Sequence, residues 1–576
     1  MALIFDASFE SGNLAEAQLV CESPLEYDLH IRPDTLNTRH RVWFYFSVRG
    51  AIRGQKVLIN LVGHSKTKSL YRDGMAPVVS SSRRPYWERM PEGCVYYYRS
   101  ARHNKQYVLS FPFCFERADE VYYFAYCFPY TYSYLQRFLQ TLDAKGLPHL
   151  RRECLTRTVQ ERRLDLLTIS SPANLKLDAE LSAAACAAEP SARAAAAVKA
   201  AEAAIQQRPR AARKSVLFVT SRVHPGESPA SFLMHGLLLF LTSEHPKAVA
   251  LREAVIIKIV PMLNPDGVFA GNYRCNSLGL DLNRRWHEGS PWSVPTVHAV
   301  RELAKAYVAL PNAYNLEVFV DIHAHSTTMN GFVFANVPAD PRQLEAVTAF
   351  PRVLGNHARD LAFSGCKLDN DPSKAGTGRR VLGEVLPGVH SYTLEVSFFC
   401  AGVGHQKGEA YSPQSYTEMG NAIGSALHEY YTVPRSPAPP LGAPAPAPTP
   451  APAARAPMLV RRPSVGASVA APRAPSASSD RETRANAEVL RERLDREHRA
   501  NAILAAAERT ARCSARSLTA AAAAPAAAPA AAGERRPSCP STGRARGGLG
   551  GGGLAAAAAD WQLKGQRPPA ASTRTL

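Results

Sequence analysis

The first residues in this chain whose types and spacing could do chemistry are His224 and Glu227, in the run Ser221-Arg222-Val223-His224-Pro225-Gly226-Glu227-Ser228. Zinc accepts both an imidazole nitrogen and a carboxylate oxygen, and a loop can aim the two at one point. His-x-x-Glu alone is a weak signal, because such pairs arise by chance on solvated loops. The residues that follow change its weight: Asn264-Pro265-Asp266-Gly267, then Asp281-Leu282-Asn283-Arg284, then Asp321-Ile322-His323-Ala324-His325-Ser326, and finally Tyr392-Thr393-Leu394-Glu395. His323 ends an apolar run, where a lone histidine is ordinarily a satisfied structural residue. Glu395 sits among Thr393, Leu394 and Val396, a run that reads as a mostly buried strand. An idle carboxylate there would be costly, so a chemical role is the better reading.

These side chains are spread along the sequence from 224 to 395 and need a scaffold that brings them together. The apolar run 216–220 reads as a buried strand and 229–241 as a helix, with Ser228 as its cap and Pro229 at its first position. Further apolar strands are expected at 255–260, 317–322 and 392–398, with helical patterns such as 297–309 between them. This alternation is the α/β signature of a mostly parallel, mixed sheet flanked by helices. Ligands bind such sheets at the carboxyl ends of the strands, where His224, Asn283, His323 and Glu395 all fall.

Ahead of this, residues 1–135 hold short alternating runs, such as 42–48, 56–62 and 95–98, separated by turn residues. They suggest an antiparallel β-sandwich domain. The aromatic segment 124–132 is expected to pack two domains together, since large aromatics mostly serve burial. Residues 136–170 read as a connecting helical segment and the start of a catalytic domain. Residues 171–213, rich in alanine from 179, read as a peripheral insertion with little to bury. The catalytic domain is expected over 214–433. From 434 to 576 Pro, Ala, Arg, Ser and Gly dominate and no apolar period could bury a core, so a disordered basic tail is expected.

The chain carries a formal net charge of +19. Residues 435–576 contribute 21 Lys plus Arg against 9 Asp plus Glu, so the tail holds most of it. A basic balance of this kind favours acidic partners. The eleven cysteines are odd in number and lack Cys-x-x-Cys spacing, which argues against a disulfide framework and for a reducing compartment. The first ten residues do not read as a secretory signal, and no uncharged apolar run reaches the ~18 residues of a membrane span. A soluble cytosolic protein is the simplest account.

The ordered motif set resembles the zinc metallocarboxypeptidases, and the form His224-Pro225-Gly226-Glu227 resembles their cytosolic carboxypeptidase branch. The likeness spans roughly 3–170 and 213–432 and includes Ser69-Leu70-Tyr71-Arg72-Asp73-Gly74-Met75-Ala76-Pro77. It implies one Zn2+ per chain on His224, Glu227 and His323, with a fourth position left for water. It also implies Glu395 as general base, a contribution of about 10² to 10⁴ in rate. Arg274 is implied to polarise the scissile carbonyl, Asp281 to orient a zinc histidine, and Asn283 with Arg284 to bind the substrate's terminal carboxylate, for which arginine's planar fork is suited.

Family members are implied to shorten glutamate chains on proteins. The expected activity is therefore removal of C-terminal glutamate from polyglutamate side chains or acidic C-termini. Tubulin and microtubules are the expected partners, and the cytosol, with microtubules, centrioles or cilia, the expected location. Neither nucleic acid nor membrane is an expected partner. The loop 374–380 resembles a family signature beside the side-chain pocket, where Lys374 and Arg379 are expected to favour an acidic terminal residue. Two other classes compete: a catalytically silent module that binds acidic tails, against which the intact ligand set argues, and a zinc amidohydrolase of small acylated amino acids. The Asn283-Arg284 pair and the large N-terminal domain favour protein termini over the latter.

Overall fold

In the computed structural model, residues 3–186, 213–358, 360–402 and 408–434 are described; 187–212 of the expected insertion and the expected tail lie outside them. The N-terminal part is built from two five-stranded sheets. One orders Ile4–Asp6, Tyr45–Arg49, Tyr122–Ala125, Val78–Ser81 and Glu88–Arg89, all antiparallel. The other orders Glu16–Glu22, Leu25–His30, Lys56–His64, Gln106–Cys114 and Tyr96–Ser100. Its pair Leu25–His30 and Lys56–His64 is parallel, while its other pairings are antiparallel, as expected. The cause of the parallel pair is the path between its strands, which runs through Tyr45–Arg49 of the other sheet and so returns in the same direction.

The catalytic part carries an eight-stranded sheet in the order Leu150–Arg157, Arg163–Ile169, Val255–Val260, Lys214–Ser221, Tyr314–His325, His390–Ser397, Phe332–Ala335, Lys367–Leu368. The four central strands, Val255–Val260 to His390–Ser397, are mutually parallel, and antiparallel pairings flank them. Both faces are covered: along Lys214–Ser221, Val216 and Phe218 enter one apolar cluster while Leu217 and Val219 enter another. That is why the strand reads as continuous rather than alternating apolar sequence.

Behind the sheet, the helix Ser228–Leu241 packs against Pro413–Thr432 at very short range. A Cβ on Gly236 would lie 1.9 Å from the Thr417 carbonyl oxygen, and one on Gly420 would lie 2.1 Å from that of Leu233. The two backbones meet where neither helix has a side chain, which fixes the start of Ser228–Leu241 relative to the sheet.

The segment 171–213 is not peripheral at its start. Residues Pro172–Cys186 form a helix whose Asn174 and Asp178 are buried. Asp178 accepts hydrogen bonds from Lys258 Nζ at 2.8 Å, from Arg151 Nη2 at 2.5 Å and from the Tyr307 hydroxyl. A buried lysine in the strand Val255–Val260 needs a carboxylate, and this helix supplies it.

The aromatic segment after Tyr122–Ala125 packs the two parts together. The Tyr126 ring centroid lies 5.5 Å from that of Phe398 and 6.4 Å from that of Tyr273, and the Tyr130 centroid lies 5.1 Å from that of Phe232.

Candidate metal centre and active site

The strand Lys214–Ser221 ends at Arg222, whose φ of 60° turns the chain sharply. The Arg222 guanidinium is buried and donates to the carbonyl oxygens of Pro225 and Tyr130 and to Ser231 Oγ, locking the loop that follows. Asn264 Nδ2 donates to the Val223 carbonyl oxygen from the other side. Gly226 is required here, because a Cβ would lie 2.5 Å from the Tyr273 ring, and its N–H donates to the Tyr273 carbonyl oxygen. Ser228 does not cap the following helix, as the sequence suggests. Glu227 holds the cap position and makes no side-chain cap, because its carboxylate is turned to two imidazoles instead.

Glu227 Oε1 is 2.8 Å from His224 Nδ1, and Oε2 is 3.0 Å from His323 Nδ1. One donor atom from each of these three buried residues falls within 4.8 Å of the other two. The far sides of the rings meet further carboxylates: His224 Nε2 lies 3.2 Å from Asp281 Oδ1, and His323 Nε2 lies 2.7 Å from Asp321 Oδ2. A proton held on each Nε2 leaves each Nδ1 lone pair directed inward, so the donor set fits zinc and leaves room for a fourth ligand. The field agrees. Against the penalty of burial, Asp321 and Glu227 hold the His323 imidazole well above its usual pKa, and a field that favours a proton there also favours a divalent cation.

Glu395 is the register partner of His323 on the adjacent parallel strand and faces the same cleft. Its carboxylate makes no hydrogen bond among the described residues, and burial pushes its pKa up to about 7. Arg274 lies across the cleft, its Nε donating to Asp281 Oδ2 at 2.6 Å. Asp281 thus orients His224 with one oxygen and Arg274 with the other. His323's neighbour His325 has both ring nitrogens occupied, by the Asn330 carbonyl oxygen at 2.9 Å and Thr328 Oγ1 at 3.0 Å, which removes it as a competing ligand.

The expected carboxylate-binding pair divides. Arg284 faces the cleft with no ion pair among the described residues. Asn283 also lines the cleft, but only its Oδ1 is engaged, accepting from Gly378 N at 3.0 Å; Nδ2 lies 3.3 Å from His323 Nε2, which, carrying its proton toward Asp321, offers it no acceptor.

The expected pocket cations require a correction. Arg379 lines the cleft wall but is buried. Its guanidinium donates to the Ala335 and Asp369 carbonyl oxygens, to Asn336 Oδ1 and to Asp369 Oδ2. Thr377 caps the helix Gly378–Val385, which directs Arg379 back onto the edge of Phe332–Ala335 rather than into the cleft. Arg379 therefore anchors the wall. Lys374 sits 2.5 Å from the same Asp369 and 4.2 Å from the centroid of the Phe334 ring, half-exposed, and is the one of the two whose ammonium can turn to a substrate.

Several residues of the site carry no reading from the sequence. Asp321 had a signal, since residues two apart on a strand share a face and Asp321-x-His323 is such a pair. Asp34 and Lys66 had none. Both come from loops of the N-terminal part: Asp34 accepts the backbone N–H groups of Tyr273, Arg274 and Cys275 at 2.6, 2.7 and 2.8 Å, and Lys66 lines the cleft.

Comparison with known proteins agrees with this architecture. Residues 5–127 match the model of the cytosolic carboxypeptidase N-terminal domain, and residues 135–362 match that of the zinc carboxypeptidases. The chain is 46% identical to human cytosolic carboxypeptidase 6 over 431 residues, covering 74% of this chain and 78% of that one. It is 41% identical to cytosolic carboxypeptidase 6 of Caenorhabditis elegans over 441 residues, covering 74% and 87%. The fold matches a metallo-carboxypeptidase from Burkholderia cenocepacia with a TM-score of 0.57 at 24% identity, covering 74% of this chain and 98% of that one. With a two-histidine, one-glutamate cluster at the strand ends, a carboxylate facing it and both halves matched, the chain belongs to the cytosolic carboxypeptidase family of zinc carboxypeptidases.

Proposed function

We propose that this zinc carboxypeptidase removes glutamate from the carboxy-terminal ends of polyglutamate side chains or acidic protein tails, tubulin among them. The observation that carries the reading is the charge of the cleft. Lys66, Arg274, Arg284 and Lys374 line it, with Arg379 buried in its wall, and Lys66 and Arg284 make no ion pair among the described residues. Such a cleft concentrates a chain that carries a negative charge on every residue.

Zinc held by His224, Glu227 and His323 would supply a Lewis acid that polarises the scissile carbonyl and acidifies water. The chain's own residues do the rest. Glu395 accepts the proton of the attacking water and returns it to the leaving amine. Arg274, held by Asp281, offers its remaining N–H groups to the carbonyl oxygen as negative charge develops there. Arg284 takes the terminal α-carboxylate. Lys374 draws the carboxylate of the terminal side chain, competing with Asp369 for its ammonium.

The test is glutamate release, followed by mass spectrometry, from tubulin and from synthetic peptides ending in Glu, Asp, Leu or Lys, with and without chelator. The expected order of kcat/KM is Glu above Asp above Leu and Lys, by roughly 5- to 150-fold across the range, with loss on chelation. Aspartate falls between because it carries the charge but not the reach. Preference for Leu or Lys rejects deglutamylation, and binding without release from any peptide identifies a silent module.

A further inference from the structure

The N-terminal part contributes one cation to the catalytic cleft. Lys66 follows the strand Lys56–His64, and its backbone carbonyl oxygen accepts from the Tyr97 hydroxyl. Its ammonium donates to the Tyr273 hydroxyl and to Ser326 Oγ, and lies 4.6 Å from the centroid of the Tyr273 ring. Both acceptors are neutral, no carboxylate pairs with it among the described residues, and two acceptors leave one of its three N–H groups free. The position is fixed from both sides. Ser326 lies three residues past His323, and its carbonyl oxygen accepts from Leu70 N at 3.3 Å; Tyr273 packs on Gly226, between His224 and Glu227.

Two other cleft cations, Arg284 and Lys374, are grouped on a different part of the wall. Gly376 packs on the Arg284 backbone, its carbonyl oxygen accepts from Trp286 N, and Lys374 belongs to the same loop. If Arg284 takes the terminal carboxylate and Lys374 the last side chain, the rest of the substrate leaves past the three-residue metal cluster toward Tyr273 and Ser326. Lys66 then meets the residue on the amino side of the scissile bond. A neutral hydroxyl pair beside a free N–H suits a carboxylate, which can replace either hydroxyl as the acceptor.

We propose that Lys66 is a specificity-determining residue that binds the side-chain carboxylate of the penultimate residue, so that the N-terminal domain reads the substrate one position upstream of the bond that is cut. This rests on the glutamate-removing reading above. It predicts that the enzyme distinguishes a run of glutamates from a single terminal glutamate by contact rather than by charge at a distance.

The experiment measures kcat/KM of full-length, zinc-loaded protein on four short peptides, with Glu or Gln at the penultimate position and Glu or Leu at the last. The parent should prefer penultimate Glu by about tenfold, as expected for one charge-assisted hydrogen bond in a half-open cleft. Lys66→Met should bring that ratio close to one while the preference for Glu over Leu at the last position persists. Lys66→Arg, which keeps the charge, should retain most of the penultimate ratio. A ratio unchanged in Lys66→Met overturns the proposal. So does a loss of terminal rather than penultimate preference, which would put Lys66 in the pocket for the last side chain. A parent that releases terminal Glu without regard to the penultimate residue overturns it too, leaving the glutamate reading intact. A parent that fails to prefer terminal Glu removes that reading itself, before any variant is made.

Discussion

Glu395 and Asp321 show how differently two residues of one site can be read. Glu395 announces itself as a carboxylate within an apolar run, and burial does lift its carboxyl, to about 7. The working form is the carboxylate, so kcat/KM should fall as pH drops through its pKa; a bound cation draws that acid limb below about 7 by favouring the charged form. Glu395→Gln keeps shape and metal ligands, so zinc content and substrate binding should persist while kcat falls by about 10² or more. Near-normal turnover would move the base elsewhere. Asp321 lay two residues from His323 and its role was legible only by taking the strand period seriously. Its carboxylate holds His323 Nε2, and the Thr220 hydroxyl donates to its other oxygen at 2.7 Å. Asp321→Asn should weaken zinc affinity by about 10- to 100-fold, read by competition with a chelator, and His224→Ala with His323→Ala should abolish stoichiometric zinc. The pocket cations were the least legible, because charge in a sequence does not reveal its partner: Asp369 takes both Arg379 and Lys374.

At the scale of elements, the central strands were legible because burial on two faces leaves a run of apolar residues in the sequence. What the sequence concealed were elements fixed by single polar contacts. The helix Pro172–Cys186 begins a stretch that reads as alanine-rich periphery, yet Asp178 ties it to Lys258 and Arg151. Burial opposes the charge on Asp178, but Lys258, Tyr307 and Arg151 together outweigh it and hold the carboxyl below its usual pKa. A depressed carboxyl contributes stability that is present above its unfolded pKa of about 4 and is lost as pH falls through the folded value, so this contact loosens only in acid. Asp178→Asn leaves Lys258 buried without its counter-charge and should cost about 3–5 kcal/mol in urea unfolding. The loop 272–276 is fixed likewise by Asp34. Asp34→Ala orphans three backbone N–H groups and frees Arg274, so kcat/KM should fall with a smaller change in zinc content. Unchanged kinetics would show that Arg274 is held well enough by Asp281 alone.

For the molecule as a whole, the division into two parts was visible in the change from short alternating runs to α/β alternation, but the sharing of one active site between them was not. No local pattern indicates that Asp34, Lys66 and Leu70 reach across to Arg274 and Ser326, because contacts between parts leave no period in either. Residues 435–576 stand apart from all of this, since every side chain assigned a role lies before them. Their sequence carries 21 basic against 9 acidic residues. Truncation after Pro434 should therefore leave kcat/KM on short glutamate peptides within about twofold of the parent. Association with an acidic polymer is a different matter. A net positive segment adds attraction that is long-ranged at low ionic strength and screened beyond about 10 Å at 0.1 M. Full-length and truncated proteins should then differ most in microtubule co-sedimentation at low salt and converge as salt rises, with long substrates losing more kcat/KM on truncation than short ones. Equal co-sedimentation across the salt series would reject a role for the tail's charge, and a truncated protein inactive on short peptides would show that residues after 434 take part in the folded enzyme.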